Sequence, residues 1–107
     1  MTNFISTGST HWISDEEIQI LEKNATNGDK NSAFKLYQYH MFVSLDQDLE
    51  FKWLEIAAKN GHPIAQSNLA DLFFTQGNKE KAIFWAKKAY RNGAKLPDEL
   101  KILININ

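Results

Sequence analysis

The sequence predicts an all-α protein, built as a stack of antiparallel helical hairpins. Three segments of the chain end in Asn-Gly, at Gly28, Gly61 and Gly93, and these glycines lie 33 and then 32 residues apart. Apolar and small residues fall in register around each glycine, as expected of a repeated structural unit. The flanking residues have helical periodicity rather than the alternation of a β-hairpin, which is the other structure that Asn-Gly favours. Short connections between such helices make neighbours antiparallel.

Composition excludes several classes of protein. The chain has 107 residues, 43% of them hydrophobic and 23% charged, which is ordinary for a single globular domain. It contains no cysteine, so disulfides and thiolate metal sites are impossible. Residues 1–12 lack the basic start and apolar run of a signal peptide, and no apolar stretch is long enough to span a membrane. We therefore expect a cytoplasmic protein.

The helices follow from capping and termination signals. Ser14 and Glu17 have the spacing of a capping box, which predicts a helix start at residue 14. Each Asn-Gly predicts a helix end, because glycine enters the left-handed region without steric cost. Pro63 suits the first turn of the helix that follows Gly61. We expect helices near residues 14–27, 30–42, 47–60, 63–76, 79–92 and 97–104, with residues 1–13 as an N-terminal arm and 14–107 as one helical repeat domain.

Charge is distributed unevenly along the chain. The net charge is −1, but residues 1–55 carry −5 and residues 56–107 carry +4. Solvated helix faces account for this in the ordinary way, whereas the alternative is an acidic half that steers a basic partner. No basic stripe interleaved with aromatic residues is present, so we expect no nucleic-acid binding.

The repeated pattern resembles that of a known family. Ala65, Leu69, Ala70, Phe73 and Gly77, followed by Lys81, Ala82, Trp85, Ala89 and Gly93, are similar to one complete Sel-one-like repeat, a relative of the tetratricopeptide repeat. Residues 28–61 resemble a second copy through Ser32, Leu36, Trp53, Ala57, Ala58 and Gly61. This copy departs from the family pattern at Tyr37, His40 and Glu50. The resemblance implies a short right-handed α-solenoid of about two repeats plus capping helices, with Trp53 and Trp85 in the core between repeats.

Catalysis has little support in the sequence. His11, His40 and His62 have no carboxylate or second histidine at a spacing typical of metal ligands. The acidic run at residues 15–17 lies in the first turn of a helix, where it favours the helix dipole. No phosphate loop, dinucleotide fingerprint or nucleophile elbow is present. We expect no metal, no cofactor and no enzymatic activity.

A protein-binding face is the functional hypothesis that names residues. In tetratricopeptide-type hairpins the first helix of each repeat lines a concave face, and transferring that geometry predicts a partner site. Its predicted residues are Asn31, Phe34, Gln38, Met41, Phe42, Ile64, Ser67, Asp71 and Phe74. Exposed apolar patches mark interaction sites, and aromatic anchors carry much of the binding energy. The alternative is that the terminal helices cover these rings as core.

The kind of partner rests on the resemblance alone. Short, free-standing bacterial Sel-one-like proteins occur as immunity proteins beside secreted toxins, and others act as adaptors. A single domain with one binding surface favours an immunity-type protein that neutralises a cognate toxin, by fold-level analogy. An adaptor or regulatory subunit is the alternative, and a hydrolase is a more distant third, because the family members linked to hydrolysis are rich in cysteine.

Overall fold

A computed structural model describes residues 13–105 of the chain, and within that range the fold is entirely helical, with no strand. The prediction of an all-α protein is therefore confirmed for this part of the chain. The helices are α1 (Asp15–Thr26), α2 (Lys30–Tyr39), α3 (Gln47–Lys59), α4 (Pro63–Thr75), α5 (Lys79–Arg91) and α6 (Asp98–Leu103), with a π-helical turn at His40–Ser44 between α2 and α3. The predicted arm, apart from Ile13, lies outside the described residues.

Side-chain caps start five of the six helices. The capping box of α1 is confirmed: the Glu17 backbone N–H donates to Ser14 Oγ at 3.2 Å, and the Ser14 N–H donates to Glu17 Oε1 at 3.0 Å. The caps of the next four helices are side chains that accept hydrogen bonds from first-turn N–H groups, which would otherwise lack acceptors. These caps are Asp29, Asp46, His62 and Asn78.

Four helices end in the same hydrogen-bonded turn. After α3, the Gly61 N–H donates to the Ala58 carbonyl and the His62 N–H donates to the Ala57 carbonyl, which is the Schellman arrangement. The same pair of bonds closes α1 at Gly28, α4 at Gly77 and α5 at Gly93. All four glycines have positive φ, so the predicted role of the Asn-Gly positions is confirmed. At three joints the residue after glycine also caps the next helix, which reverses the chain within three residues.

The joint between α2 and α3 differs, and here the predicted helix 30–42 is wrong in its second half. Leu36 lies 33 residues before Leu69, whereas Leu45 lies only 32 before Gly77, so the first segment has one extra residue between these markers. A π-turn, whose hydrogen bonds span five residues, absorbs one extra residue within a helix. The π-turn therefore keeps Leu45 equivalent to Gly77, and Leu45 adopts the left-handed conformation with φ 57°.

Consecutive helices pack against one another around two apolar clusters. Alanine supplies nine of the seventeen buried hydrophobic side chains among the described residues, which lets helix backbones approach closely. The larger cluster is Ala25, Ala33, Leu36, Tyr37, Trp53, Leu54, Ala57, Ala58, Ala65, Leu69, Phe73 and Ala82. The smaller cluster is Ala70, Ala86, Ala89, Leu96 and Leu100. Trp53 is buried, as predicted, whereas Trp85 is half-buried and packs against both clusters.

No helix in the described range is both long enough and apolar enough to cross a membrane.

Candidate protein-binding site

The largest cavity described here is a groove beside the start of α4, and we call it the α4 groove. Its volume is about 730 Å³. It is lined by His62, Pro63, Ile64, Ser67 and Asn68 on one side and by residues 93–97 of the α5–α6 connection on the other. Ile64 is 54% exposed, which is unusual for a large aliphatic side chain in such a position, whereas Leu96 is buried. The groove is thus an open, mainly apolar cleft in which Ile64 is the accessible large side chain.

Local sequence explains how the groove is positioned. His62 Nδ1 accepts a hydrogen bond from the Ala65 N–H at 3.2 Å, which caps α4 and fixes the imidazole ring. The ring is also stacked on Phe34, with centroids 4.1 Å apart and an interplanar angle of 14°. On the opposite side, the connection after Gly93 is longer than the other glycine joints, because α6 begins only after Pro97. The extra residues of this connection form the second wall.

A smaller cavity adjoins the groove and is lined by residues of α2, α3 and α4. Its volume is about 290 Å³, and we call it the acidic cavity. Its lining residues are Tyr37, Glu50, Leu54, Asn68, Asp71, Leu72 and Thr75. Asn68 lines both cavities, and its Nδ2 donates to the Tyr37 hydroxyl at 3.4 Å. The exposed face of α4 therefore leads from an apolar groove to an acidic cavity.

The structure divides the predicted partner site into separate environments. Ile64 and Ser67 line the α4 groove, and Asp71 lines the acidic cavity. Ser67 is nonetheless buried, so it contributes little accessible surface. Asn31 and Phe42 are exposed on other elements, and Gln38 is half-buried.

The aromatic anchors of the prediction occupy different positions from those expected. Phe34, Met41 and Phe74 are half-buried and pack against the larger cluster, and Phe74 also packs against the smaller one. This agrees with the alternative that these side chains belong to the core. The binding of a partner at the predicted residues stays a prediction.

Several lining residues were missed by the sequence reasoning. Asn68 lies one helical turn after Ile64, so the helical period could have placed it on the same face. Leu96 and Pro97 had no such signal, because they enter the groove only through the path of the α5–α6 connection. Glu50 was noted only as a departure from the family pattern.

Burial shifts the pKa of three groups near these cavities. Burial raises the pKa of Tyr37, and the Glu50 carboxylate raises it further, so the hydroxyl is neutral. Burial lowers the pKa of His62, and the positive charge of Lys30 adds to that effect. Burial also lowers the pKa of His40, whose Nδ1 lies 2.7 Å from Ser44 Oγ.

Within residues 13–105, no three histidine or acidic side chains converge in a way that could hold a metal ion. His11 lies outside that range. The expectations of no metal, no cofactor and no catalysis stay predictions.

Comparison with known proteins gives one informative similarity. No protein-family model and no solved structure matches the chain. The chain is 33% identical over 95 residues to YibG of Escherichia coli (strain K12), an uncharacterized protein. The alignment covers 82% of this chain and 62% of YibG, so this chain spans less than two thirds of its relative. Since YibG is uncharacterized, the similarity assigns neither an activity nor a partner.

Proposed function

We propose that the chain is a non-catalytic protein-binding module of the cytoplasm, built as a short right-handed α-solenoid of Sel-one-like repeats. The repeated Schellman joints and the registers of 33 and 32 residues support the repeat architecture. Its partner-binding surface is the exposed face of α4, with the α4 groove at its centre.

The observation that carries this proposal is the exposure of Ile64 within an apolar groove. Leaving a large aliphatic side chain in water forgoes about 1.5–3 kcal/mol of burial free energy. The neighbouring groove residues are also largely apolar, so a partner side chain inserted there could bury them together with Ile64. Interfaces are typically anchored by a few such side chains in pockets.

The partner class that we propose is a toxin, which the chain neutralises as an immunity-type protein. The support is the analogy with short bacterial Sel-one-like proteins and the presence of one continuous candidate surface on a single domain. An inhibitor needs one tight surface of this kind, whereas an adaptor needs two separate attachments.

The test compares partner capture by two isoleucine variants. Ile64→Ala is expected to reduce capture of the native partner by about tenfold or more, with an unchanged melting temperature, because the side chain is exposed in the free protein. Ile20→Ala is the matched control, since Ile20 is 59% exposed on α1 and lines neither of the two cavities. Full capture by Ile64→Ala would show that the groove is not the interface.

Coexpression identifies the role of the captured protein. If it is a toxin, expressing it alone should arrest growth of the host cell, and wild-type chain should restore growth while Ile64→Ala does not. A captured protein that is harmless when expressed alone contradicts the immunity role and favours the adaptor.

A further inference from the structure

The acidic cavity holds two carboxylates without a compensating charge. Glu50 and Asp71 are both half-buried and reach the cavity from different helices, α3 and α4. Within the described part of the chain the ion pair present is Glu55–Lys59, so neither cavity carboxylate is paired. Carboxylates that have lost part of their hydration attract a cation more strongly than exposed ones do.

Nearby lysines do not neutralise this charge. Lys52 Nζ lies 4.7 Å from the centre of the Trp53 ring, and Lys81 Nζ lies 5.3 Å from that of Phe73. Both lysines are thus placed over aromatic rings rather than in the cavity. The cation that the cavity favours must come from another molecule.

A third polar group in the cavity is the Tyr37 hydroxyl. Tyr37 is 7% exposed, and its oxygen accepts one hydrogen bond, from Asn68. A hydroxyl oxygen can accept two hydrogen bonds, and no donor for the second is present among the described residues. This nearly buried oxygen therefore adds a free acceptor to the two carboxylates.

We infer that the acidic cavity binds a basic side chain of the partner protein, with Glu50 and Asp71 as its counter-charges and Tyr37 as an additional acceptor. An arginine suits this set best, because its planar guanidinium carries five N–H donors that can reach acceptors on several sides. The inference rests on the proposed function, and it specifies the partner surface: an arginine adjacent to an apolar side chain that enters the α4 groove. The net charge of −5 in residues 1–55 is consistent with a basic partner.

The experiment uses the full chain and two small probes in a low-salt NMR titration. N-acetyl-arginine amide carries the guanidinium, and N-acetyl-citrulline amide has nearly the same shape without the charge. The arginine probe is expected to shift the backbone amide signals of Asn68 and Asp71 saturably, with a dissociation constant in the millimolar range because so small a ligand has few contacts. Equal shifts with the citrulline probe, or arginine-dependent shifts only elsewhere, would overturn the inference.

Variants test whether the two carboxylates carry the binding. Asp71→Asn and Glu50→Gln are each expected to weaken binding of the arginine probe about tenfold or more while preserving side-chain shape. Asp48→Asn is the matched control, because Asp48 is an exposed acid of α3 outside the cavity, and it should bind the probe like wild type. Undiminished binding by both cavity variants contradicts the assignment. A magnesium chloride titration that shifts the same signals at lower concentration than the arginine probe would indicate a metal-ion site and would also overturn it.

The result is distinguishable from failure of the proposed function. If the arginine probe binds but Ile64→Ala retains its partner, the cavity assignment stands and the groove is not the interface. If Ile64→Ala loses its partner but the arginine probe does not bind, the groove is the interface and the cavity assignment falls.

Discussion

Leu45 adopts a left-handed backbone at a position where the second half of the chain has Gly77. Both residues follow the end of a helix and precede a side-chain cap, Asp46 or Asn78. The left-handed region costs a residue with a Cβ atom about 1–2 kcal/mol, whereas glycine enters it without that cost. The roles of the glycines were predictable from their identity. Leu45 was not, because its conformation is imposed by the π-turn before it and by the cap after it.

Leu45→Gly is expected to stabilise the protein by about 0.5–1 kcal/mol. The variant relieves the left-handed strain, and part of that gain is offset by the greater entropy of glycine in the unfolded chain. Little apolar burial is lost, since Leu45 is 71% exposed. Urea unfolding at neutral pH provides the measurement.

The reciprocal variant is Gly77→Ala, which should destabilise by about 1–2 kcal/mol. A Cβ atom at Gly77 would meet no heavy atom within 4 Å, so this loss would come from the backbone conformation alone. A lower stability for Leu45→Gly would show that the backbone at residue 45 is not strained.

At the scale of the element, the N-terminus of α4 depends on a titratable cap. His62 Nδ1 accepts the Ala65 N–H, so the ring must be unprotonated at that nitrogen. Protonation removes the acceptor and places a positive charge at a helix N-terminus, where the helix dipole disfavours it. The folded state therefore prefers neutral His62, in agreement with its lowered pKa.

Folding stability is therefore expected to fall between neutral and mildly acidic pH. The folded-state pKa of His62 lies below the value of 6.5 used for the unfolded state, so the unfolded chain binds a proton first as the pH drops. The contribution is complete above about pH 6.5 and is lost as the pH falls through the folded-state pKa. His40 acts with the same sign: burial and Lys52 lower its pKa, and Asp46 and Glu22 oppose them.

His62→Asn isolates the cap of α4 from the other titrating groups. Asparagine supplies a side-chain oxygen that does not titrate, so the loss of stability between pH 7 and pH 5 should be smaller than in wild type. The stacking on Phe34 is lost at every pH, and for this reason the slope with pH, measured by urea unfolding, is the relevant quantity. An unchanged slope would mean that His62 does not couple folding to protons.

The π-turn shows why one element was mispredicted while the others were placed well. Caps and glycines are local signals, and they gave the ends of α1, α3, α4 and α5 within one or two residues. The extra residue between Leu36 and Leu45 has no such signal, because apolar periodicity continues through Met41 and Phe42. Only a comparison of the two half-chains along their whole length reveals the insertion.

At the scale of the molecule, the two apolar clusters are coupled by a few shared side chains. Phe74, Trp85 and Leu103 pack against both clusters. Phe74 thus links the cluster that involves α6 to the rest of the described core. The sequence identified Phe74 as apolar on the first helix of a repeat, but it could not show that α6 and the α5–α6 connection complete a second cluster around it. The same missing information concealed the α4 groove, whose second wall is that connection.

The final prediction is that Phe74 acts in the core and not as a partner anchor. Phe74→Ala is expected to destabilise by about 2–4 kcal/mol, somewhat below the range for a fully buried phenylalanine, because the ring is half-buried. For a domain of this size, such a loss lowers the melting temperature by roughly 10 °C. Phe42→Ala provides the comparison: its ring is 53% exposed in the π-turn, so the cost should be about 1 kcal/mol or less.

Partner capture, measured at a temperature where both variants are folded, separates the two roles of Phe74. If the ring is core, Phe74→Ala captures the partner in proportion to its folded fraction, because the α4 groove keeps Ile64. An unchanged melting temperature with lost capture would instead make Phe74 an anchor, as the sequence predicted, and would move the interface away from the groove. A large loss of stability with retained capture places the interface elsewhere than at this ring, because the energy that Phe74 contributes is then already present in the folded, unbound chain.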